Sequence, residues 1–77
     1  MNIDLADVTL HIDETLDAGG RADLEEAFRQ REGVISVHVN ENRPHLFVLE
    51  YNPVMVHSKD LLSITRYKGL HAELIGL

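Results

Sequence analysis

Five histidines and thirteen carboxylates carry whatever chemistry this chain performs, because its 77 residues include no cysteine. Without thiols there is neither a disulfide framework nor a thiolate metal site, so any metal ion has to be held by imidazole and carboxylate. Those donors suit Zn(II), Ni(II), Co(II) or Cu(II) rather than Cu(I), which prefers sulfur. Sulfur is offered only by Met1 and Met55. The histidines at 11, 38, 45, 57 and 71 show no His-x-x-His or His-x-x-x-His spacing, so a site must be assembled by folding. His71 beside Asp13 would make a general-base pair, but nothing supplies an electrophile or a substrate pocket. There is no Ser-His-Asp order with a nucleophile turn and no phosphate-binding Gly-Lys-Ser/Thr. The expected activity is binding, not catalysis.

The elements that position these groups belong to a single domain, 1–77, with residues 1–6 expected to be flexible. A chain of this length buries only about 60% of its unfolded surface, so hydrophobic packing has to be economical. The formal charge of -6 argues against a nucleic-acid partner, since phosphate binding draws on Lys/Arg clusters. Asp4, Asp7, Asp13, Glu14 and Asp17 all precede the first base, Arg21, and such a run reads first as a solvated face. No apolar run approaches the roughly 20 residues of a membrane helix, and Met1–Asp7 lacks the basic and apolar regions of a signal peptide. The expectation is a cytoplasmic protein without membrane insertion.

Val8, Leu10 and Ile12 alternate with Thr9, His11 and Asp13, the period-2 pattern of a strand with one buried face. Leu24, Ala27, Phe28 and Arg31 then recur at helical spacing, Glu25 and Arg29 form an i,i+4 pair, and Gly33 ends the helix. Ile35, Val37 and Val39 alternate with Ser36, His38 and Asn40 in a second strand. The turn cluster Asn40–Pro44 leads into a third, Leu46–Tyr51. Ser58 is the expected N-cap of a second helix with the stripe Leu61, Leu62, Ile64 and Thr65, stopped by Gly69. His71–Ile75 is the last strand, with Ala72 and Leu74 inward. The order β-α-β-β-α-β predicts an α+β, ferredoxin-like fold, a four-stranded antiparallel sheet with both helices on one face.

That topology gathers Asp13, Glu14, Asp17, His38, Glu41, His45, Lys68 and His71 at one end of the sheet. Antiparallel pairing of the first and last strands brings Asp13 close to His71 and His11 close to Glu73. The open sheet face would carry Thr9, His11, Ser36, His38, Leu46, Val48, Glu50, Glu73 and Ile75. Its apolar members mark it as a docking or homodimer surface, with a merely solvated face as the bland alternative.

Several residues are similar to the heavy-metal-associated domain family, the small copper- and mercury-carrying module. Gly33-Val34 followed by Ser36-Val37-x-Val39-Asn40 resembles that family's approach to its second strand, and Tyr51-Asn52-Pro53 resembles its Tyr-Asp-Pro ending of the third. Leu61, Ile64, Gly69 and Ala72 match the second helix and the turn beyond it, while Leu24 and Phe28 fall on the apolar positions of the first helix. The same count places Asp17 and Gly20 where the family's Cys-x-x-Cys loop has its two cysteines. Leu70 stands where Tyr or Phe is frequent. The resemblance implies a cysteine-free member in which Asp13, Asp17 and His71 hold a divalent ion (Zn, Ni, Co or Cu(II)) at the loop end. Two roles stay open for this chain, metal handling and a metal-free interaction module. Asp17 has a second reading, as a carboxylate capping the first helix, and Gly19-Gly20 beside Arg21 as an anion-binding turn is a third.

Overall fold

Strand alternation decides the layers. In the computed structural model, which describes residues 4–76, Val8, Leu10 and Ile12 are at most 1% exposed. They lie on β1 (Ala6–Ile12), which is followed by α1 (Ala18–Gln30), β2 (Val34–Asn40), β3 (Arg43–Tyr51), α2 (Ser58–Tyr67) and β4 (Ala72–Gly76). The strands form one antiparallel sheet in the order β2-β3-β1-β4, as the α+β, ferredoxin-like reading requires. Of residues 1–6, expected to be flexible, 1–3 lie outside the described residues, whereas Ala6 pairs with Tyr51 and begins β1.

The core is the inner sheet face closed by the two helices. Val8, Leu10, Ile12, Val37, Phe47, Leu49 and Tyr51 pack with Leu24 and Phe28 of α1 and Leu61 of α2. Phe28 and Phe47 meet edge to face, with ring centroids 6.0 Å apart, a geometry that the ring quadrupoles favour. Thr65 is fully buried, and its hydroxyl donates to Leu62 O at 2.6 Å, so it brings no unpaired polar atom inside. Val56, in the connection before α2, is also fully buried and plugs the core from below.

Three local readings change. Ile35, expected to alternate inward with Val37, is 56% exposed because the β2–β3 register shifts between Val34 and Ser36, and Val34 packs against the core instead. A bulge of this kind inserts one residue and reverses the alternation beyond it. The N-cap of α2 is His57 rather than Ser58; its backbone N–H donates to Asp60 Oδ2 at 2.9 Å, a bond that only a side chain three residues on can make. β3 starts at Arg43, so the hairpin turn shrinks to Glu41-Asn42, with Asn42 N–H donating to Asn40 Oδ1 at 2.9 Å.

Gly33 is a position where only glycine fits. α1 ends at Gln30 with Arg31 as its C-cap, and the chain then turns through Gly33 at φ 101° while Asn52 N–H donates to Gly33 O at 2.7 Å. A Cβ there would stand 2.9 Å from Met55 Cβ and 3.0 Å from Val56 Cγ1. Both the left-handed backbone and the clash oppose a side chain. Gly33→Ala should therefore cost about 2 kcal/mol or more, read as a fall in the thermal midpoint of about 8 °C or more.

Candidate metal centre

The loop after β1 is closed by the two positions where the family resemblance places cysteines. Asp17 is the N-cap of α1, and its Oδ1 accepts the Gly20 N–H at 2.7 Å. The carboxylate thus satisfies one of the four amides that a helix start leaves unpaired and meets the positive end of the helix dipole. Arg21 turns back over the same loop, its Nη1 donating to Leu16 O at 2.8 Å. This is the capping role foreseen for Asp17, and it commits one carboxylate oxygen.

His71 is committed as well. Its backbone N–H donates to Glu14 Oε1 at 2.8 Å and its ring Nδ1 lies 2.6 Å from Glu14 Oε2. One carboxylate therefore clamps the turn before β4 to the loop after β1. The hydrogen bond from the His71 ring, reinforced by the bond from the His71 backbone, lowers the Glu14 pKa to about 2. The same contact, and then the charge of Glu14, raise that of His71. Asp13 is joined to His71 through the main chain, Asp13 N–H donating to His71 O at 2.8 Å.

Side-chain ligands converge one residue further down the sheet. Among the described residues, His11, Asp13 and Glu73 each place a ligand atom within 4.8 Å of the others. Asp13, Asp17 and His71 do not converge in this way. The β1–β4 register sets His11 directly opposite Glu73, and Asp13 follows two residues after His11 where β1 ends. Tetrahedral ligand atoms about 2.0–2.2 Å from an ion stand roughly 3.4 Å apart, so a modest rotation of side chains would close the set.

His11 and Asp13 are already close. Asp13 Oδ1 lies 3.2 Å from His11 Nδ1, yet off the line a ring N–H would need, so this buried nitrogen has no aligned hydrogen bond among the described residues. An imidazole nitrogen shielded from water and left unpaired is costly unless something else occupies its lone pair. The ring is steadied from the other side by His45, stacked at 5.7 Å between centroids and 18° between planes. His45 Nδ1 sits 2.7 Å from Ile12 O, and a carbonyl can only accept, so that nitrogen carries the proton. A shallow hollow of about 280 Å³ adjoins the cluster, lined by Asp13, Arg66, Leu70, His71, Ala72 and Glu73.

Fold and site together define a small α+β domain with a cluster of nitrogen and oxygen donors at one corner of its open sheet face. No protein-family model matches the chain, and no curated protein matches it in sequence. Solved structures do match in fold. Oxidized MerP from Ralstonia metallidurans CH34 superposes with a TM-score of 0.82 at 18% identity, over 92% of this chain and 97% of that one. The N-terminal domain of a potential copper-translocating P-type ATPase from Bacillus subtilis, in its Cu(I)-loaded state, gives 0.81 at 24% identity over 91% and 86%. The N-terminal domain of PacS from Synechocystis PCC6803 gives 0.76 at 21% identity over 91% and 97%. The fold of the backbone is similar to that of these structures. No helix among the described residues is long and apolar enough to cross a membrane.

Two measurements probe this corner. Asp17→Ala should destabilise the protein by about 1 kcal/mol through loss of the cap, with Asp17→Asn close to wild type; chemical denaturation checks both. The Glu14–His71 clamp should respond to pH from two sides. Glu14 is depressed on folding, so its contribution is present above its ordinary value near 4.5 and is lost as pH falls towards about 2. His71 is raised, so its contribution is full below its ordinary value of 6.5 and disappears as pH climbs through its folded value. The difference in thermal midpoint between wild type and Glu14→Gln should accordingly be largest between about pH 4.5 and 6.5 and shrink on either side.

Proposed function

We propose that the protein binds a divalent transition-metal ion through His11, Asp13 and Glu73, without thiolates. The observation that carries this reading is the convergence of one imidazole and two carboxylates, beside which His11 Nδ1 is buried with no aligned hydrogen bond. One nitrogen and two oxygen donors fit Zn(II), Ni(II), Co(II) or Cu(II); the imidazole disfavours Mg(II) and Ca(II), and the lack of sulfur disfavours Cu(I). Three protein ligands leave a position for water or an exchanging group. The fold neighbours lend support, since their names include copper-binding and copper-translocating proteins.

Asp13 belongs both to this set and to the Asp13, Asp17 and His71 set implied by family resemblance. The difference lies in which side chains converge. The Glu14 bond engages only Nδ1 of His71 and the α1 cap only Oδ1 of Asp17, so neither contact bars an ion; what separates the two sets is that the ligand atoms of His11, Asp13 and Glu73 already converge. An ion there would also tie β4, an edge strand of five residues, to β1 and steady the sheet.

Isothermal titration with Zn(II), Ni(II), Co(II) and Cu(II) tests the reading. At least one should bind with Kd below about 0.1 mM, equivalent to roughly 5.5 kcal/mol. His11→Ala and Glu73→Gln should each weaken it by about tenfold or more, while Asp17→Asn, which retains the cap, changes it little. Loss of binding in Asp17→Asn and His71→Ala with His11→Ala unaffected would move the site to the loop. No binding by any of the four ions would sink the proposal.

A further inference from the structure

The charges of this protein are segregated by layer. Six of its seven cations lie on the helices or their C-caps, Arg21, Arg29 and Arg31 with α1 and Lys59, Arg66 and Lys68 with α2. Three of them are paired within that layer: Arg29 with Glu25, Arg31 with Asp60 and Lys68 with Asp23. The seventh, Arg43, opens β3 at the hairpin. The open sheet face has none in its body.

Cross-strand pairing arranges that face in rows. Asp7 and Glu50 stand directly opposite each other in β1 and β3, with Ser36 of β2 beside Glu50. Next come Thr9, Val48 and His38, and then Glu73, His11 and Leu46. Val48 is 41% exposed and Ile75 of β4 is 53% exposed. The face therefore carries exposed Val48 in a row between the acidic Asp7–Glu50 row and the row that holds Leu46 and Glu73. Neither Asp7 nor Glu50 makes a salt bridge among the described residues, although like charges at opposed positions destabilise a sheet.

We propose that this face docks a basic amphipathic helix of a partner protein, its apolar stripe on Leu46, Val48 and Ile75 and its lysines or arginines on Asp7, Glu50 and Glu73. Charge complementarity selects the partner's sign, and it disfavours anionic lipid and nucleic acid alike. Strand geometry selects a helix. Both edge strands are bulged, β2 at Ile35 and β4 between the partners of Thr9 and Leu10, and bulges obstruct the addition of a further strand. The existing helices cover only the other face, so a third layer is the remaining way to bury this one. A shallow hollow of about 670 Å³ over Thr9, His38, Leu46 and Val48 marks the seat, with Arg43 at its hairpin end. From Asp7 to Asp13 the strand rises about 20 Å, which a helix of about 13 residues spans. Glu73 is common to this surface and the metal corner, so with the corner occupied Asp7 and Glu50 would be the remaining acidic anchors.

The test is an NMR titration of the full chain with a synthetic amphipathic helix of about 18 residues, roughly 27 Å long, carrying a leucine stripe and lysines near both ends. Saturable binding with Kd below about 1 mM is expected, with amide shifts at Thr9, His38, Val48 and Glu50 and weakening as salt is raised. The same peptide with glutamates for lysines should not bind. Glu50→Lys should weaken binding about tenfold while raising the thermal midpoint by about 2 °C, because it replaces a repulsive pair with an attractive one. Val48→Asp, at an exposed position, should also lose binding. Shifts confined to α1 and α2, equal binding of both peptides, or undiminished binding by Glu50→Lys would overturn the proposal. Sedimentation showing self-association through Val48 would overturn it in favour of a second copy as occupant.

Discussion

Burial of Val8, Leu10 and Ile12 holds β1 in one register, and the positions of the polar groups descend from that register. Each fully buried aliphatic side chain contributes about 1.5–3 kcal/mol, whereas an exposed ion pair is worth about 0–1 kcal/mol. The core therefore decides the geometry and the charged groups accept it. A slip of one residue would drive Asp7, Thr9 and His11 into the core and expose the three aliphatic residues. Held as it is, β1 sets His11 opposite Glu73 on one side and opposite Leu46 on the other. The cluster of His11, Asp13 and Glu73 and the composition of the open face are consequences of the same pairing.

Much of this was legible in the residues because period-2 and period-3.6 patterns report burial directly. The antiparallel neighbours β1 and β4, the contact of Asp13 with His71 and most of the open face follow from alternation and topology alone, although Asp7, opposite Glu50, was not among the residues expected there. Asp17 was legible as a cap because a carboxylate three residues before Gly20 has the spacing that a helix start needs. Ile35 was not, because a bulge is a property of two strands together, and the pattern Val34-Ile35-Ser36-Val37 permits either Val34 or Ile35 to turn inward. His57 displaced Ser58 because the cap uses the backbone amide of His57 and the side chain of Asp60, so the hydroxyl of Ser58 had no advantage to offer.

The candidate site illustrates a different limit. Sequence and topology place Asp13, Asp17 and His71 at one end but do not say which side chains are already satisfied. Glu14 takes both the ring and the amide of His71, and Gly20 takes Asp17. The ligand atoms that converge are those of His11, Asp13 and Glu73; the closeness of His11 to Glu73 is readable from strand pairing, whereas the side-chain rotamers that bring the three together are not. His45 carried no motif at all. It matters because its ring bonds the carbonyl between His11 and Asp13 and stacks on His11, an arrangement that needs the hairpin and the end of β1 to be in place.

The sheet face and the metal corner share Glu73, which makes them electrostatic neighbours. At physiological salt the screening length is about 8 Å. Glu73 and His11 face each other across two hydrogen-bonded strands about 5 Å apart, well inside that distance. The Asp7–Glu50 row lies about 20 Å from Asp13 along β1, well outside it. A divalent ion would thus cancel the negative charge of its own corner while leaving the far acidic row unchanged. Any ligand that uses both ends must respond to the ion through Glu73 alone, and by reciprocity the ion must respond to that ligand by the same free energy. Such a coupling would be small, because only one of the three acidic anchors, Glu73, belongs to the cluster that would hold the ion.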